Sequence, residues 1–439
     1  MRFLVVASCF APKNVIGAVR LSKIVKYLVR AGNEVTVYSP ALESYDRRDE
    51  TLECKELTSV KRVLVPYSRV TTSLTSRHKG PGGQAIANAV GNQVSTSLPT
   101  ILYRKLRGVF SSWRDWEWEQ KAWRAIRGEH ATWDVVMSSY PNASTHNVAC
   151  RVKGAGLADV WVADFRDPMV LETSAGPARR HSERLQTDIV HAADIATSVL
   201  HDSSKHFICA EDDRQKIVWL PNGFDEDDSE CFKSAMSNGT GRVLTLSYAG
   251  GMYKGERDLR PVFKAMRELV DERRAGIADI AIDYAGPDGA IVKAQAQEFN
   301  LAETVRDHGS MIREEAIKLQ AMSDCVLVAT FCYQDGVGSI PGKLFEPVMM
   351  RKPVLLVVSG GGNNSEAANL VRYLGIGDVY ERAASGDDVS SVKDFLVHML
   401  REKHDKGAVS CKMDEERRAE YTHERITKKL LESIEAYRR

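Results

Sequence analysis

The sequence has no apolar stretch near the roughly 20 residues needed to span a bilayer, so any membrane contact it makes is peripheral. Its eight cysteines are scattered, with no C-x-x-C pair and no histidine at zinc-ligand spacing. That excludes a disulfide framework and a zinc site, and the thiols read as reduced and cytosolic. No G-x-G-x-x-G follows the first apolar run, which removes the usual nicotinamide dinucleotide site. The P-loop pattern also fails, because Gly342-Lys343 is followed by Leu344 and Val337 stands where the first glycine belongs. Acid is missing from Leu57 to Arg114, whereas nine lysines and arginines fall there. That segment is a local cation hidden within a net charge of +1.

What is present points to a soluble two-domain protein. A chain of 439 residues exceeds what one hydrophobic core usually organises. Its 43% apolar and 27% charged residues are an ordinary globular balance, which excludes wholesale disorder. The opening Arg2-Phe3-Leu4-Val5-Val6-Ala7 is too short for a signal-peptide core and reads as a buried strand. A helix over about 18–30 and a strand over 34–38 complete a βαβ unit. Further strands are expected at 134–138, 160–163, 195–199 and 216–220, which implies a doubly wound parallel sheet. The acidic run Asp225-Glu226-Asp227-Asp228 and the glycine-containing 237–241 have the composition of a linker. A second sheet follows, with strands at 243–248, 280–284, 326–330 and 354–358 and helices near 259–274, 289–299, 313–322 and 343–350. The domains are therefore expected at 1–224, with an insertion at about 57–128, and at 225–413. A last helix over 414–439 is expected to return to the first domain.

The insertion mixes apolar and basic residues around Arg104, Lys105 and Arg107, with Trp113, Trp116, Trp118 and Trp123 close behind. Such a pattern suits an anionic membrane surface. It equally suits an insertion packing its apolar positions on its own domain while the arginines stay solvated. Asp115-Trp116-Glu117-Trp118-Glu119 argues against a nucleic-acid partner. Asp225-Glu226-Asp227 has the D-x-D form of a metal chelator but reads as a solvated turn, and no catalytic metal is expected.

The most informative stretch is Gly338-Ser339-Ile340-Pro341-Gly342-Lys343-Leu344-Phe345-Glu346, leading to the apolar run 353–358. A Gly/Pro-punctuated loop opening a helix aims backbone N–H groups and the helix's positive end at an anion, and Lys343 adds a full charge. Glu346, one turn on, is placed to accept hydrogen bonds from two sugar hydroxyls. A phosphate beside a ribose is a nucleotide. The competing reading is a plain strand-to-helix turn carrying a solvated Lys-Glu pair.

Together these motifs resemble the family 4 glycosyltransferases of the two-domain GT-B fold. The resemblance rests on Val5-Val6-Ala7-Ser8-Cys9-Phe10-Ala11-Pro12 leading to Ile16-Gly17-Ala18, on Ala31-Gly32-Asn33-Glu34-Val35, and on Ala163-Asp164-Phe165-Arg166-Asp167-Pro168. In the second half it rests on Leu220-Pro221-Asn222-Gly223, on Ala249-Gly250-Gly251-Met252-Tyr253-Lys254-Gly255, and on Gly342-Lys343-Leu344-Phe345-Glu346. It implies two Rossmann-like domains facing a cleft and transfer of a hexosyl group from a UDP- or GDP-sugar with retention of configuration. It also implies a glycan or lipid-linked acceptor in a cytoplasmic polysaccharide pathway, at or near the inner membrane face.

On that resemblance, Lys254, Lys343 and Arg257 neutralise the leaving diphosphate, although Arg257 also fits a surface helix. Glu346 holds the ribose and Gly342 shapes the loop. Gly17 lets backbone N–H groups approach the diphosphate from the first domain, or marks only a tight turn. His146, Asp164, Arg166 and Asp167 lie at strand ends of the first domain, where such sheets bind ligands. His146 and Asp167 are candidates for catalysis, and Asp164 and Arg166 for the acceptor. The alternative is a structural histidine and an Arg-Asp pair that shapes a loop. Many family members carry E-x7-E here, but this chain has Gly338 in place of the first glutamate, so Asp335, Ser339 and Ile340 are the substitutes for the sugar contact. Two rivals remain: a nucleotide-sugar epimerase on the same fold, and a catalytically silent carbohydrate-binding or partner protein.

Overall fold

The computed structural model describes residues 1–13, 15–41, 48–68, 98–167, 169–170, 176–201, 207–232, 241–253, 256–333 and 340–439. The chain forms two compact units. The first comprises Met1–Ser198, Phe207–Val218 and Ser433–Arg439; the second comprises Val199–His206 and Trp219–Glu432. The passage between them falls at Val218, ahead of the acidic stretch expected to link them. Those acids belong to the second unit, because Asp225 is buried, Glu226–Phe232 is helical, and Glu226 pairs with Arg418 at 2.8 Å. Asp414–Glu432 also stays with the second unit, and only Ser433–Arg439 joins the first.

The first unit is built on a seven-stranded sheet ordered β3-β2-β1-β4-β5-β6-β7. Its strands are β1 (Arg2–Ala7), β2 (Glu34–Pro40), β3 (Lys61–Val65), β4 (Trp133–Ser139), β5 (Ala158–Phe165), β6 (Ile195–Ser198) and β7 (Ile217–Trp219). The pairings of β1 with β2 and β4, and of β4 with β5, are parallel. Helices α1 (Ile16–Arg30), α2 (Leu98–Gly128), α3 (Ala143–Gly154) and α4 (Gly176–Ala192) accompany it. A parallel sheet covered on both faces needs strands that are apolar throughout, and β1 is buried from Phe3 to Ala7. Within the insertion α2 runs for 31 residues, and Trp118, Ala122 and Ile126, four residues apart, bury one stripe in the core with Leu4, Val6, Val136 and Trp161. The side chains of 98–109, with Arg104, Lys105 and Arg107 among them, lie outside the described residues. No helix among the described residues is long and apolar enough to cross a membrane.

The second unit has a six-stranded sheet ordered β10-β9-β8-β11-β12-β13. Its strands are β8 (Leu244–Ala249), β9 (Ile280–Ala285), β10 (Val305–Asp307), β11 (Cys325–Phe331), β12 (Val354–Ser359) and β13 (Gly377–Glu381). Alternation decides which face each residue serves. Val326, Val328, Val354, Leu356 and Val358 enter one core, whereas Cys325, Leu327, Ala329, Leu355 and Val357 enter the other. Helices α5 (Arg260–Asp271), α6 (Arg313–Met322), α7 (Phe345–Met350) and α8 (Ser390–Lys406) are among its covering elements, and α9 (His423–Arg438) belongs to this unit up to Glu432. Gly223 is required by packing: a β-carbon there would collide with the Tyr421 carbonyl, which accepts a hydrogen bond from Phe224 N at 3.0 Å.

In each sheet the strand order reverses direction once, between β1 and β4 in the first and between β8 and β11 in the second. In open parallel sheets the crevice at that reversal, beyond the carboxyl ends of the strands, is where ligands bind.

Candidate functional site

In the second unit the chain leaves β8 through Gly250 and Gly251. Gly250 has φ +145°, a conformation side-chain-bearing residues rarely adopt, and a β-carbon there would press on Lys343 Nζ. The loop is pinned at several points: Gly250 N donates to Ala285 O at 2.8 Å, Tyr284 Oη to Gly250 O at 2.8 Å, and Met252 N to Asp288 Oδ2 at 2.7 Å. Lys343 lies in a 3-10 turn, Gly342–Leu344, immediately before α7, so the helix begins two residues later than the sequence suggests. The lysine reaches across to β8, where its Nζ donates to Ala249 O at 2.6 Å. Burial lowers its pKa from the ordinary lysine value, and Arg257 adds to the effect while Glu346 opposes it.

Arg257 arrives at the same loop from the other side. Its Nη1 donates to Gly251 O at 3.2 Å, and its guanidinium lies 4.2 Å from the ring centre of Tyr253. Tyr253 is 61% exposed and has φ +47°. Ala249, Arg257, Gln320, Pro341 and Lys343 line one small pocket at the strand ends. Glu346, on α7, keeps 16% of its side chain exposed. Gln320 Nε2 donates to its Oε2 at 2.9 Å, and Arg313 Nε lies 3.8 Å from its Oε1. Ile340 is half-buried against the core beneath. Two cations thus meet at one glycine loop, with the partly exposed carboxylate of Glu346 beside them and that of Asp288 holding the loop itself. That arrangement favours an anion flanked by hydroxyl groups. Lys254, Asp335 and Ser339 lie outside the described residues.

In the first unit the residues singled out by sequence separate into buried and accessible groups. Asp164, 1% exposed, accepts from Arg20 Nη2 at 3.0 Å, Ser139 Oγ at 2.7 Å and Thr197 Oγ1 at 2.7 Å. These donors, with the Arg20 charge, hold its pKa below the usual carboxylate value against the opposing cost of burial. Its oxygens face the protein, so the expected direct acceptor contact is replaced by an internal ion pair joining α1 to β5. His146, at 0% exposure, is likewise enclosed. Its Nδ1 lies 2.8 Å from Ser138 Oγ, which also accepts from Trp161 Nε1 at 2.9 Å, and its Nε2 has no hydrogen-bond partner. The Phe165 ring centre stands 4.9 Å away and Tyr140 stacks at 6.3 Å. Burial pulls the imidazole pKa down to about 4. The imidazole is therefore neutral at pH 7 and has no exposed surface, unlike the open position expected of a group that meets the acceptor.

Arg166 and Asp167 lie nearer the surface and pair with each other. The Arg166 guanidinium lies over the start of α1, where a β-carbon at Gly17 would collide with it. Gly17 therefore admits a side chain from the turn that follows β5. Nearby opens a pocket of about 740 Å3, within the range of small-molecule sites. Ser8 and Cys9 beyond β1, Tyr140 beyond β4 and Arg166 beyond β5 line it, at the reversal of strand order between β1 and β4. Sequence reasoning missed Tyr253, Gln320 and Tyr140. An aromatic after Gly250-Gly251 and one after a strand are readable signals, whereas Gln320 has none.

No protein-family model matches the chain, and no curated protein does. Solved structures match along its whole length. HepE from Anabaena, described in complex with UDP and glucose, is 13% identical over 99% of this chain and 100% of its own, with a TM-score of 0.57. The lipopolysaccharide outer core galactosyltransferase WaaB is 11% identical over 99% of each chain, at 0.55. UDP-GlcNAc 2-epimerase from Methanocaldococcus jannaschii is 11% identical over 99% of this chain and 100% of its own, at 0.53. At these identities the likeness is one of fold: the chain has the GT-B architecture of two Rossmann-like α/β domains.

Proposed function

We propose that the protein is a glycosyltransferase of the family 4 type. It moves a hexosyl group from a UDP- or GDP-sugar to a hydroxyl of a glycan, lipid-linked or small-molecule acceptor, with retention and without a metal. The observation that carries this reading is the convergence of Lys343 and Arg257 on the Gly250-Gly251 loop, with Glu346 alongside. Breaking the bond to the sugar leaves charge on the nucleotide diphosphate. Cations already held in place and partly stripped of water stabilise that charge more in the transition state than in the ground state. Lys254 belongs with them by resemblance. The Glu346 carboxylate accepts from the ribose hydroxyls, and Gln320 fixes its orientation. In a retaining transfer the acceptor attacks on the face the nucleotide leaves. A departing phosphate oxygen takes the acceptor proton, so neither His146 nor Asp167 is needed as a nucleophile. Asp167 and Arg166 orient the acceptor hydroxyl at the strand ends of the first unit, and Asp164 holds β5 beneath them.

The second reading, a nucleotide-sugar epimerase, shares the donor chemistry and finds support in the epimerase among the structural neighbours. It assigns no occupant to the 740 Å3 pocket of the first unit, which favours transfer. The working site of a transferase of this kind is the cytoplasm, with peripheral contact at the inner membrane face where the acceptor is lipid-linked. A thermal-shift panel of nucleotide diphosphates and nucleotide sugars tests the donor site. A stabilising nucleotide raises the melting temperature of the wild type and leaves Glu346→Ala nearly unmoved. Absence of a shift with every nucleotide refutes the proposal, and conversion of the nucleotide sugar to its epimer without acceptor selects the second reading.

A further inference from the structure

The acidic run Asp225-Glu226-Asp227-Asp228, which has the composition of a linker, lies apart from the small pocket at the strand ends, and its carboxylates serve separate partners. Asp225 starts the helix Glu226–Phe232 by accepting from Asp227 N at 3.2 Å. Glu226 accepts from Arg418 Nη2 at 2.8 Å and 3.1 Å, and Asp228 lies 4.0 Å from Arg313. Phe232, at the far end of this helix, enters the core that also holds Ile317 of α6 and Val348 of α7. The helix therefore packs beside the two elements that carry Arg313 and Glu346.

Helix α7, which carries Glu346, is six residues long. A helix that short does not hold itself, and the last four carbonyls of any helix find no partner within it. In α7 three of them are met from outside. Pro347 O accepts from Lys352 N at 3.0 Å, Val348 O from Arg418 Nε at 3.0 Å, and Met349 O from Arg418 Nη2 at 3.3 Å. Arg418 is 4% exposed, and its guanidinium lies 4.5 Å from the ring centre of Phe224. A planar fork laid on an aromatic face and donating to two carbonyls and a carboxylate is fixed in orientation, and its charge meets the negative end of the helix. Val348 and Met349 follow Glu346 on the same short rod, so what fixes them fixes its backbone. At the other end Lys343 is tied to β8. Arg313 stands between two carboxylates, 3.8 Å from that of Glu346 and 4.0 Å from that of Asp228.

We infer that Arg418 and Glu226 are positioning residues for nucleotide binding: Glu226 orients Arg418, Arg418 clamps the C-terminal end of α7, and the clamp holds the Glu346 carboxylate where it accepts from ribose hydroxyls. This deepens the transferase reading and rests on it for the statement that Glu346 meets the ribose. A hydrogen bond weakens steeply once its geometry slips, so a loosened α7 loses the ribose contact while the cations at the Gly250-Gly251 loop keep theirs to the diphosphate.

Calorimetry with UDP, GDP and their 2′,3′-dideoxy counterparts, on the full-length wild type and on Arg418→Met, Glu226→Ala and Glu346→Ala, tests it. The ratio of ribo to dideoxy affinity reads the Glu346 contact and nothing else, so a loss of general stability does not move it. Wild type should prefer the ribonucleotide by roughly tenfold, the scale of hydrogen bonds to a charged group, and Glu346→Ala should show no preference. Arg418→Met and Glu226→Ala should each cut the preference to about threefold or less, with dideoxynucleotide affinity close to that of wild type. Thermal melts establish that the variants fold. Arg418→Met leaves no buried charge unpaired, because the Glu226 side chain is 43% exposed. If it fails to fold all the same, Glu226→Ala decides, since Arg418 there keeps Glu415 at 3.5 Å. A preference lost in Glu346→Ala but intact in the folded clamp variants overturns the inference and leaves the donor reading standing. So does a variant that loses affinity for ribo and dideoxy forms in equal proportion, which marks a structural role. A wild type without the preference, or a preference that survives Glu346→Ala, overturns the reading of Glu346 and the inference with it.

Discussion

His146 makes folding stability depend on acid in a calculable way. Burial strips its imidazolium of water and places the pKa at about 4 in the folded protein, with Asp164 only partly countering, against 6.5 for an exposed histidine. An unfolded chain takes up this proton near pH 6.5 and the folded chain only near pH 4. Stability is therefore fully present above the unfolded value and falls as acid is added between the two. At about 1.36 kcal/mol per pH unit the whole loss is about 3 kcal/mol, and about 2 kcal/mol of it has accrued by about pH 5. The perturbation is His146→Gln, which keeps a polar group beside Ser138 and removes the titration. Urea unfolding of wild type and variant, followed at several values between about pH 7.5 and about pH 5, isolates the effect, since other titrations cancel in the difference. The advantage of wild type over the variant should shrink by about 2 kcal/mol across that range. A difference that stays constant, or an NMR titration of the His146 ring centred near 6.5, would refute the burial argument and restore His146 as a proton carrier.

Two further outcomes follow from the buried charges. Arg20→Met leaves the Asp164 carboxylate enclosed without its cation and should cost about 3–5 kcal/mol in chemical unfolding; a cost below about 1 kcal/mol would mean water reaches Asp164. Lys343 has a lowered pKa, so its charge is lost at a lower pH than that of an exposed lysine. Nucleotide diphosphate affinity, read by calorimetry, should fall as pH rises toward that value, and Lys343→Met should bind more weakly and lose this pH dependence. An identical alkaline profile in wild type and variant would remove Lys343 from the site.

The parts of the fold legible in the sequence are those in which one period dominates. The run Phe3 to Ala7 is apolar at every position because β1 is covered on both faces, and α6 is found over Arg313–Met322 as its pattern predicts. The strands missed are short or mixed: β10 is Val-Arg-Asp, β13 is Gly-Asp-Val-Tyr-Glu, and β3 is Lys-Arg-Val-Leu-Val, two basic residues before three apolar ones. All three stand at or beside sheet edges, where half the residues face water and the pattern weakens. The site divides similarly. Lys343 and Glu346 announce themselves through spacing on one turn. Their meeting with Arg257 and Gln320 is created by parallel strand order, which no local window contains. The burial of His146 was hidden because its own segment, Ser144-Thr145-His146, is polar; the rings that enclose it, Tyr140 and Phe165, come from the ends of two different strands.

Helix α2 divides its labour by face. Trp118, Ala122 and Ile126 hold it to the sheet, while Asp115 and Trp116 stand in the pocket. The residues that anchor the helix and those that line the pocket are thus different residues of one rod. Substitutions on the pocket face leave the anchoring stripe intact, so this chain is free to change what it recognises without first acquiring stability to spare, and a library confined to Ser112, Asp115 and Trp116 is where a new preference would be sought.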